Sequence, residues 1–225
     1  MTESFWLGGV SASPVTDASP QAGLAAVLKD LVKVTHFPAG AVEQVTWFSA
    51  LGEADTLLPG LKAAGFEQAC ALCLPAIPEL IHAQLQAASQ AILAGERHAI
   101  VLGISSKDQV SAILLCSPEA AGKYNLLPKA RIAARGTALP DRFDPQTLVK
   151  EAQGESDEEF TKIYWCGNSG FQPSFSTGYE KLDDYDNPIN GFIHLAEVLR
   201  NDATALGLLL TGSNGATQAT AVQSI

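Results

Sequence analysis

The sequence predicts an α/β protein in which helices cover both faces of a sheet. Three observations support this prediction. Apolar residues make up 47% of the 225-residue chain and charged residues 17%, which is enough to bury the core of one globular unit. Apolar runs of strand length alternate with segments of helical spacing, which is typical of βαβ crossovers. Both parts of the chain also close with the same order of helix, strand, turn and strand.

The first part of the chain contains the clearest elements. Its longest periodic segment, residues 78–94, begins with Pro78 and is followed by Gly95, and these residue types suit a helix start and a helix end. The run 69–74 is almost wholly apolar, which is typical of a strand buried on both faces. Residues 11–14 predict a turn. Predicted strands are residues 5–10, 44–48, 69–74, 98–104, 111–116 and 130–135, and predicted helices are residues 21–34, 56–64, 78–94 and 118–123.

The second part is a shorter version of the same order. The polar, glycine-rich stretch 170–186 predicts a loop, and residues 212–215 a tight turn. Predicted helices are residues 145–152 and 192–201, and predicted strands are residues 161–166, 205–211 and 216–222. We therefore expect two similar halves, residues 1–135 and 136–225, that pack as one unit.

The charge of the chain excludes some functions. The net charge is −10, and residues 141–202 carry 13 of the 24 acidic side chains and 5 of the 14 basic ones. Such a surface repels phosphate backbones, so we expect no nucleic-acid partner. No apolar run reaches the roughly 20 residues that cross a bilayer, and the N-terminus has no basic signal region. We expect a cytoplasmic protein without a membrane partner.

The four cysteines, Cys70, Cys73, Cys116 and Cys166, predict neither a disulfide framework nor a metal site. Cys70 and Cys73 form a lone CxxC without a second cysteine or histidine pair at metal-ligand spacing. Their separation places them on opposite faces of a predicted strand. No GxGxxG or Walker A sequence occurs, so no nucleotide cofactor is expected.

Three segments resemble thiolases and β-ketoacyl synthases. The segment QAILAGERHAIVLG (residues 90–103) is similar to the stretch in which the long central helix of that superfamily ends and the next strand begins. SAILLCSPEAA (residues 111–121), followed by LLPKARI (residues 126–132), resembles a thiolase run. LLLTGSNGAT (residues 208–217) resembles the glycine-rich turn before the last strand of a ketosynthase.

This resemblance implies a compact thiolase-like αβαβα layered fold of two related halves, usually as a dimer. It also implies a nucleophilic cysteine at the N-terminus of the buried helix, where the helix lowers the thiol pKa. Two further side chains, His/His or His/Asn, act on the second substrate. The long thiolase insertion that helps to bind coenzyme A is missing between Cys116 and Arg135, so weak or no coenzyme A binding is expected.

This chain departs from the catalytic pattern of the superfamily. The nucleophile position lies twelve residues before Gln90 and holds Pro78. The first histidine position holds Cys166, and the second holds Tyr185. We therefore expect no catalytic residues of the usual kind and lean towards a protein without enzymatic activity.

Three functions remain open. The first is a non-catalytic subunit that resembles chain-length factors and pairs with a ketosynthase as a heterodimer or homodimer, in fatty-acid or polyketide biosynthesis. An acyl carrier protein is a further candidate partner. The second is an acyltransferase or condensing enzyme with a displaced nucleophile, Cys73 or Cys166, and with His194 or His82 as the base. The third is a binding or scaffold protein on the same fold.

Overall fold

The structure is a computed structural model of the chain. It describes residues 6–14, 20–49, 54–105, 109–126, 130–138, 163–165, 179–181, 192, 196, 207–212 and 217–224. The helices are α1 (Pro20–Thr35), α2 (Ala54–Ala64), α3 (Pro78–Leu93) and α4 (Pro118–Lys123), with a 3₁₀ turn at Ala39–Ala41. The strands are β1 (Trp6–Pro14), β2 (Gln44–Ser49), β3 (Cys70–Pro75), β4 (Ala99–Ser105), β5 (Gln109–Cys116), β6 (Ala130–Ala138), β7 (Ile163–Trp165), β8 (Tyr179–Lys181), β9 (Gly207–Gly212) and β10 (Thr217–Ser224).

The described strands form one sheet in the order β3-β2-β4-β5-β1-β6-β10-β9-β7-β8. From the centre of the sheet outwards, the first set runs β1-β5-β4-β2-β3 and the second set runs β6-β10-β9-β7-β8. Each strand of the first set therefore has a counterpart numbered five higher in the second. In each set the second strand is parallel to the third and fourth, and the fifth is antiparallel to the fourth and first. The two sets join where β1 pairs with β6 through Trp6 with Arg131 and Leu7 with Ala130.

The repeat extends to an irregularity in the register. β1 slips by one residue against β5 between Gly8 and Val10. β6 slips against β10 between Ile132 and Ala134, the same number of residues from the start of the strand. A β-bulge at the same place in both sets supports the structural relation between them. The two related halves expected from the sequence are therefore present; the division between residues 135 and 136 falls inside β6 and stays a prediction.

Helices pack on both faces of the sheet formed by the first five strands. Successive side chains of a strand point to opposite faces, so each strand contributes to two apolar clusters. Val45 and Trp47 of β2 belong to the cluster that contains α1 and α2 side chains such as Leu28 and Leu61. Phe48 and the alternate residues of β4 belong to the cluster built on α3. Phe192 and Ala196, both helical and buried, join this second cluster from the other set of strands.

Three predictions from the sequence are corrected by the structure. β1 continues through the predicted turn at residues 11–14 because these residues pair with β5, and Pro14 is the last residue of the strand. The predicted loop 170–186 contains β8, which is short and polar but pairs with β7. β3 is not buried on both faces: it lies at the edge of the sheet, where Cys70 and Leu72 are exposed.

Several predicted segments lie outside the described residues, among them the helix 145–152 and the turn residues 213–215. Within the part of the chain that the structure describes, no helix is both long enough and apolar enough to span a membrane.

Candidate functional site

The N-terminus of α3 follows directly from the carboxyl end of β3. Ala76 donates its N–H to the Ser49 carbonyl at 3.1 Å, which ties the connection to the end of the neighbouring strand β2. Ile77 then donates to the Pro75 carbonyl at 3.0 Å, and its own carbonyl accepts from Ile81 at 3.1 Å as the helix begins. Because β2, β3 and β4 are parallel, the start of α3 lies beside the carboxyl ends of all three strands.

Pro78 occupies the first turn of α3, as the sequence predicts, and Ile77 is the N-cap residue. Proline suits this position because the first N–H groups of a helix have no partner within it. Ile77 forms no side-chain cap, and its side chain is 45% exposed. The helix therefore starts with an apolar pair where the superfamily resemblance implies a thiol, and neither residue carries a nucleophile.

The backbone around this start is relaxed. Ile77 has φ −120° and ψ 142°, an ordinary extended conformation. Among the described residues, the non-glycine residues with positive φ are His36 and Asn125, both far along the chain from α3. The turn into α3 therefore has none of the strained strand-to-helix geometry with which some hydrolases expose a nucleophile.

Cys73 lies within β3, five residues before Pro78, and packs on the other face of the sheet from α3. It pairs in register with Trp47 and, half-buried, packs against the cluster that contains α1 and α2. The next residue, Leu74, packs against the α3 cluster instead. The alternation of a strand therefore directs the Cys73 thiol away from the face on which α3 lies.

Cys116 and Cys70 occupy contrasting places. Burial raises the pKa of the Cys116 thiol to about 12, so this thiol stays protonated at neutral pH and is a poor nucleophile. Cys70 is exposed at the first position of β3. Within the described residues no group of three or more His, Cys, Asp and Glu side chains is arranged to hold a metal ion.

Cys166, Tyr185 and His194 lie outside the described residues. The described neighbours locate two of them along the chain only: Cys166 follows the last residue of β7, Trp165, and His194 falls between the buried residues Phe192 and Ala196. The remaining candidate base, His82, belongs to α3, four residues after Pro78. The proposed site roles of these residues stay predictions.

A polar cluster lies at the other end of the strands, where β2 and β4 begin and β5 ends. It was not predicted from the sequence. The Ser117 hydroxyl lies 3.5 Å from Nδ1 of His98, and the Glu43 carboxylate accepts from His98 at 2.6 Å. The donor to Glu43 is the backbone N–H of His98, however, whereas a hydrolytic triad needs the acid on the imidazole ring. Ser117 also caps α4 by accepting from the Ala120 N–H at 3.1 Å. The cluster therefore ties strand and helix ends together.

Ser111 is a second feature that the sequence concealed within an apolar run. Its side chain is fully buried, and alternation along β5 places it on the same face as Ile113 and Leu115, the face of α3. Its hydroxyl has no hydrogen-bond partner among the described residues. A buried hydroxyl without a hydrogen-bond partner is uncommon in folded proteins.

Comparison with solved structures identifies the fold. The chain matches human mitochondrial 3-ketoacyl-CoA thiolase with a TM-score of 0.70 and 11% identity over 99% of each chain. It matches the peroxisomal 3-ketoacyl-CoA thiolase of Saccharomyces cerevisiae, described as five layered with two core domains of identical topology, with a TM-score of 0.72 and 10% identity over 99% of this chain and 98% of that one.

A ketosynthase gives a similar match. The 3-oxoacyl-[acyl-carrier-protein] synthase III of Aquifex aeolicus has a TM-score of 0.69 and 8% identity over 97% of this chain and 99% of that one. No protein-family model and no curated protein sequence matches the chain. The duplicated strand order and these full-length likenesses together establish that the chain has the thiolase-like αβαβα fold, shared by thiolases and ketosynthases.

Proposed function

We propose that the protein is a non-catalytic ketosynthase-like subunit, comparable to a chain-length factor, that pairs with an active β-ketoacyl synthase in fatty-acid or polyketide biosynthesis. One observation carries the proposal: Pro78 occupies the first turn of α3, where the resemblance implies the nucleophilic cysteine. Proline offers neither a side-chain nucleophile nor a backbone N–H.

The surroundings of Pro78 support the same proposal. A catalytic thiol gains from unpaired N–H groups and from the helix dipole at such a place. Here the two residues that open the helix, Ile77 and Pro78, provide no thiol to be activated. Cys73, the nearest cysteine along the chain, packs on the opposite face of the sheet. A subunit that lends its fold and surface to an active partner needs none of these groups.

The partner in this proposal is a ketosynthase, with an acyl carrier protein as a second candidate, in the cytoplasm. Acyl carrier proteins are acidic, and residues 141–202 of this chain hold 13 acidic and 5 basic side chains. Like charges repel across an interface, so this segment is proposed to face away from the carrier. Carrier binding that strengthened at low salt through this segment would contradict that part of the proposal.

A displaced nucleophile is the second candidate function, and one observation favours it. Cys166 follows the carboxyl end of β7, which is parallel to β8 and β9. The carboxyl ends of parallel strands are where α/β proteins commonly bind ligands. An acyltransferase or condensing enzyme acting through Cys166 would depend on this position; a binding or scaffold protein would not.

The test is the intact mass of the protein after incubation with acyl thioesters and with an acyl carrier protein. The exposed Cys70 is first replaced in a Cys70→Ala background, so that surface acylation is removed. In that background we expect no acyl adduct. A stable adduct that disappears in Cys73→Ala or Cys166→Ala would overturn the proposal and identify the nucleophile.

A pair of matched variants tests whether the start of α3 would activate a thiol if one were present. Pro78→Cys returns a thiol to the first turn of α3, and Leu93→Cys places one at the other end of the same helix, where the dipole disfavours thiolate. We expect Pro78→Cys to be acylated or alkylated faster than Leu93→Cys, as followed by peptide mapping. Equal rates would show that this helix end does not activate a thiol.

A further inference from the structure

We draw no further inference here: the strongest candidate, the uncharged outer edge of β3 (Cys70–Pro75), whose inner edge pairs with β2, carries nothing because no contact among the described residues shows what covers it.

Discussion

Trp47 packs closely against Gly103 on the face of the sheet that α1 and α2 cover. The two residues are directly paired in the parallel register of β2 and β4. A Cβ atom at Gly103 would overlap the six-membered ring of Trp47. The indole Nε1 donates to the Ser105 hydroxyl at 3.3 Å, which fixes the ring across the glycine. Glycine is needed here because a backbone lies under an aromatic ring.

We predict that Gly103→Ala destabilises the protein by about 1–3 kcal/mol, because the fully buried indole has no room to move. Gly122→Ala is the matched control: a Cβ there meets no atom within 4 Å, and alanine favours the short helix α4. Urea unfolding measures both variants. Equal stabilities for the two would show that Trp47 yields without cost.

The buried Cys116 thiol gives the stability a dependence on alkaline pH. Its pKa rises from 9.0 to about 12 on burial, so above pH 9 the unfolded thiol ionises while the folded one stays neutral. The unfolded state then binds fewer protons, and its relative free energy falls. The contribution is complete below pH 9 and is lost as pH rises towards 12.

We therefore predict that the free energy of unfolding falls above pH 9 by at most about 1.4 kcal/mol per pH unit from this group. Cys116→Val should remove that part of the slope, whereas Cys70→Ala, at an exposed position, should leave it. Denaturant unfolding at a series of pH values measures the difference. A wild-type slope that Cys116→Val does not change would refute the assignment.

At the scale of elements, the helices end by two different routes. α3 ends with Gly95 at φ +73°, and the Glu96 and Gly95 N–H groups donate to the carbonyls of Ala91 and Ile92 at 2.9 and 3.1 Å. This is a Schellman arrangement, and the sequence predicts its glycine. α1 ends with His36 at φ +58°, where the His36 N–H donates to the Val32 carbonyl at 2.8 Å. Histidine adopts positive φ more often than most non-glycine residues but far less often than glycine, so the sequence does not predict this helix end.

Exchanging the residue types should move stability in opposite directions. His36→Gly is expected to stabilise the protein by about 1 kcal/mol, because glycine adopts positive φ without the Cβ clash. Gly95→Ala should destabilise it by a similar amount from the backbone alone, since no atom lies within 4 Å of the added Cβ. Thermal unfolding compares the two; a destabilised His36→Gly would indicate that the histidine side chain itself contributes.

The start of α3 is the element that the sequence predicts best. Pro78 is both the expected and the observed first-turn residue, because proline fixes φ and lacks the N–H that a helix interior requires. The face of the sheet on which Cys73 packs is harder to predict from the sequence. Its strand periodicity separates it from Cys70, but which face meets α3 depends on the packing of α1 and α2 on the other side.

At the scale of the whole molecule, the α3 cluster joins the two sets of strands. Phe192, which lies in the chain between β8 and β9, is 3% exposed and buried in the same cluster as α3 residues such as Ile81 and Leu85. β1 and β6 add only two residue pairs to this connection. Apolar burial around α3 therefore couples the sets in addition to the strand pairing.

We predict that Phe192→Ala destabilises the whole chain by about 3–5 kcal/mol, the usual cost of removing a buried phenylalanine. It should also lower the hydrogen-exchange protection of the α3 amides, although these are distant in sequence. Leu58→Ala is the control, because Leu58 is 66% exposed and its loss should cost about 0.5 kcal/mol or less. Loss of stability without faster exchange in α3 would argue that the two sets are not coupled through this cluster.

The sequence by itself determined the helices and strands between β1 and β6, because periodicity, proline and glycine act over a few residues. It also determined that Pro78 opens the long helix and carries no nucleophile. Only the tertiary structure decided which strands are neighbours. The apolar run of β3 lies at the sheet edge, β1 extends along β5 through a predicted turn, and the polar β8 pairs with β7. These features depend on hydrogen bonds between strands that are separated along the chain, and local patterns do not identify which strands pair.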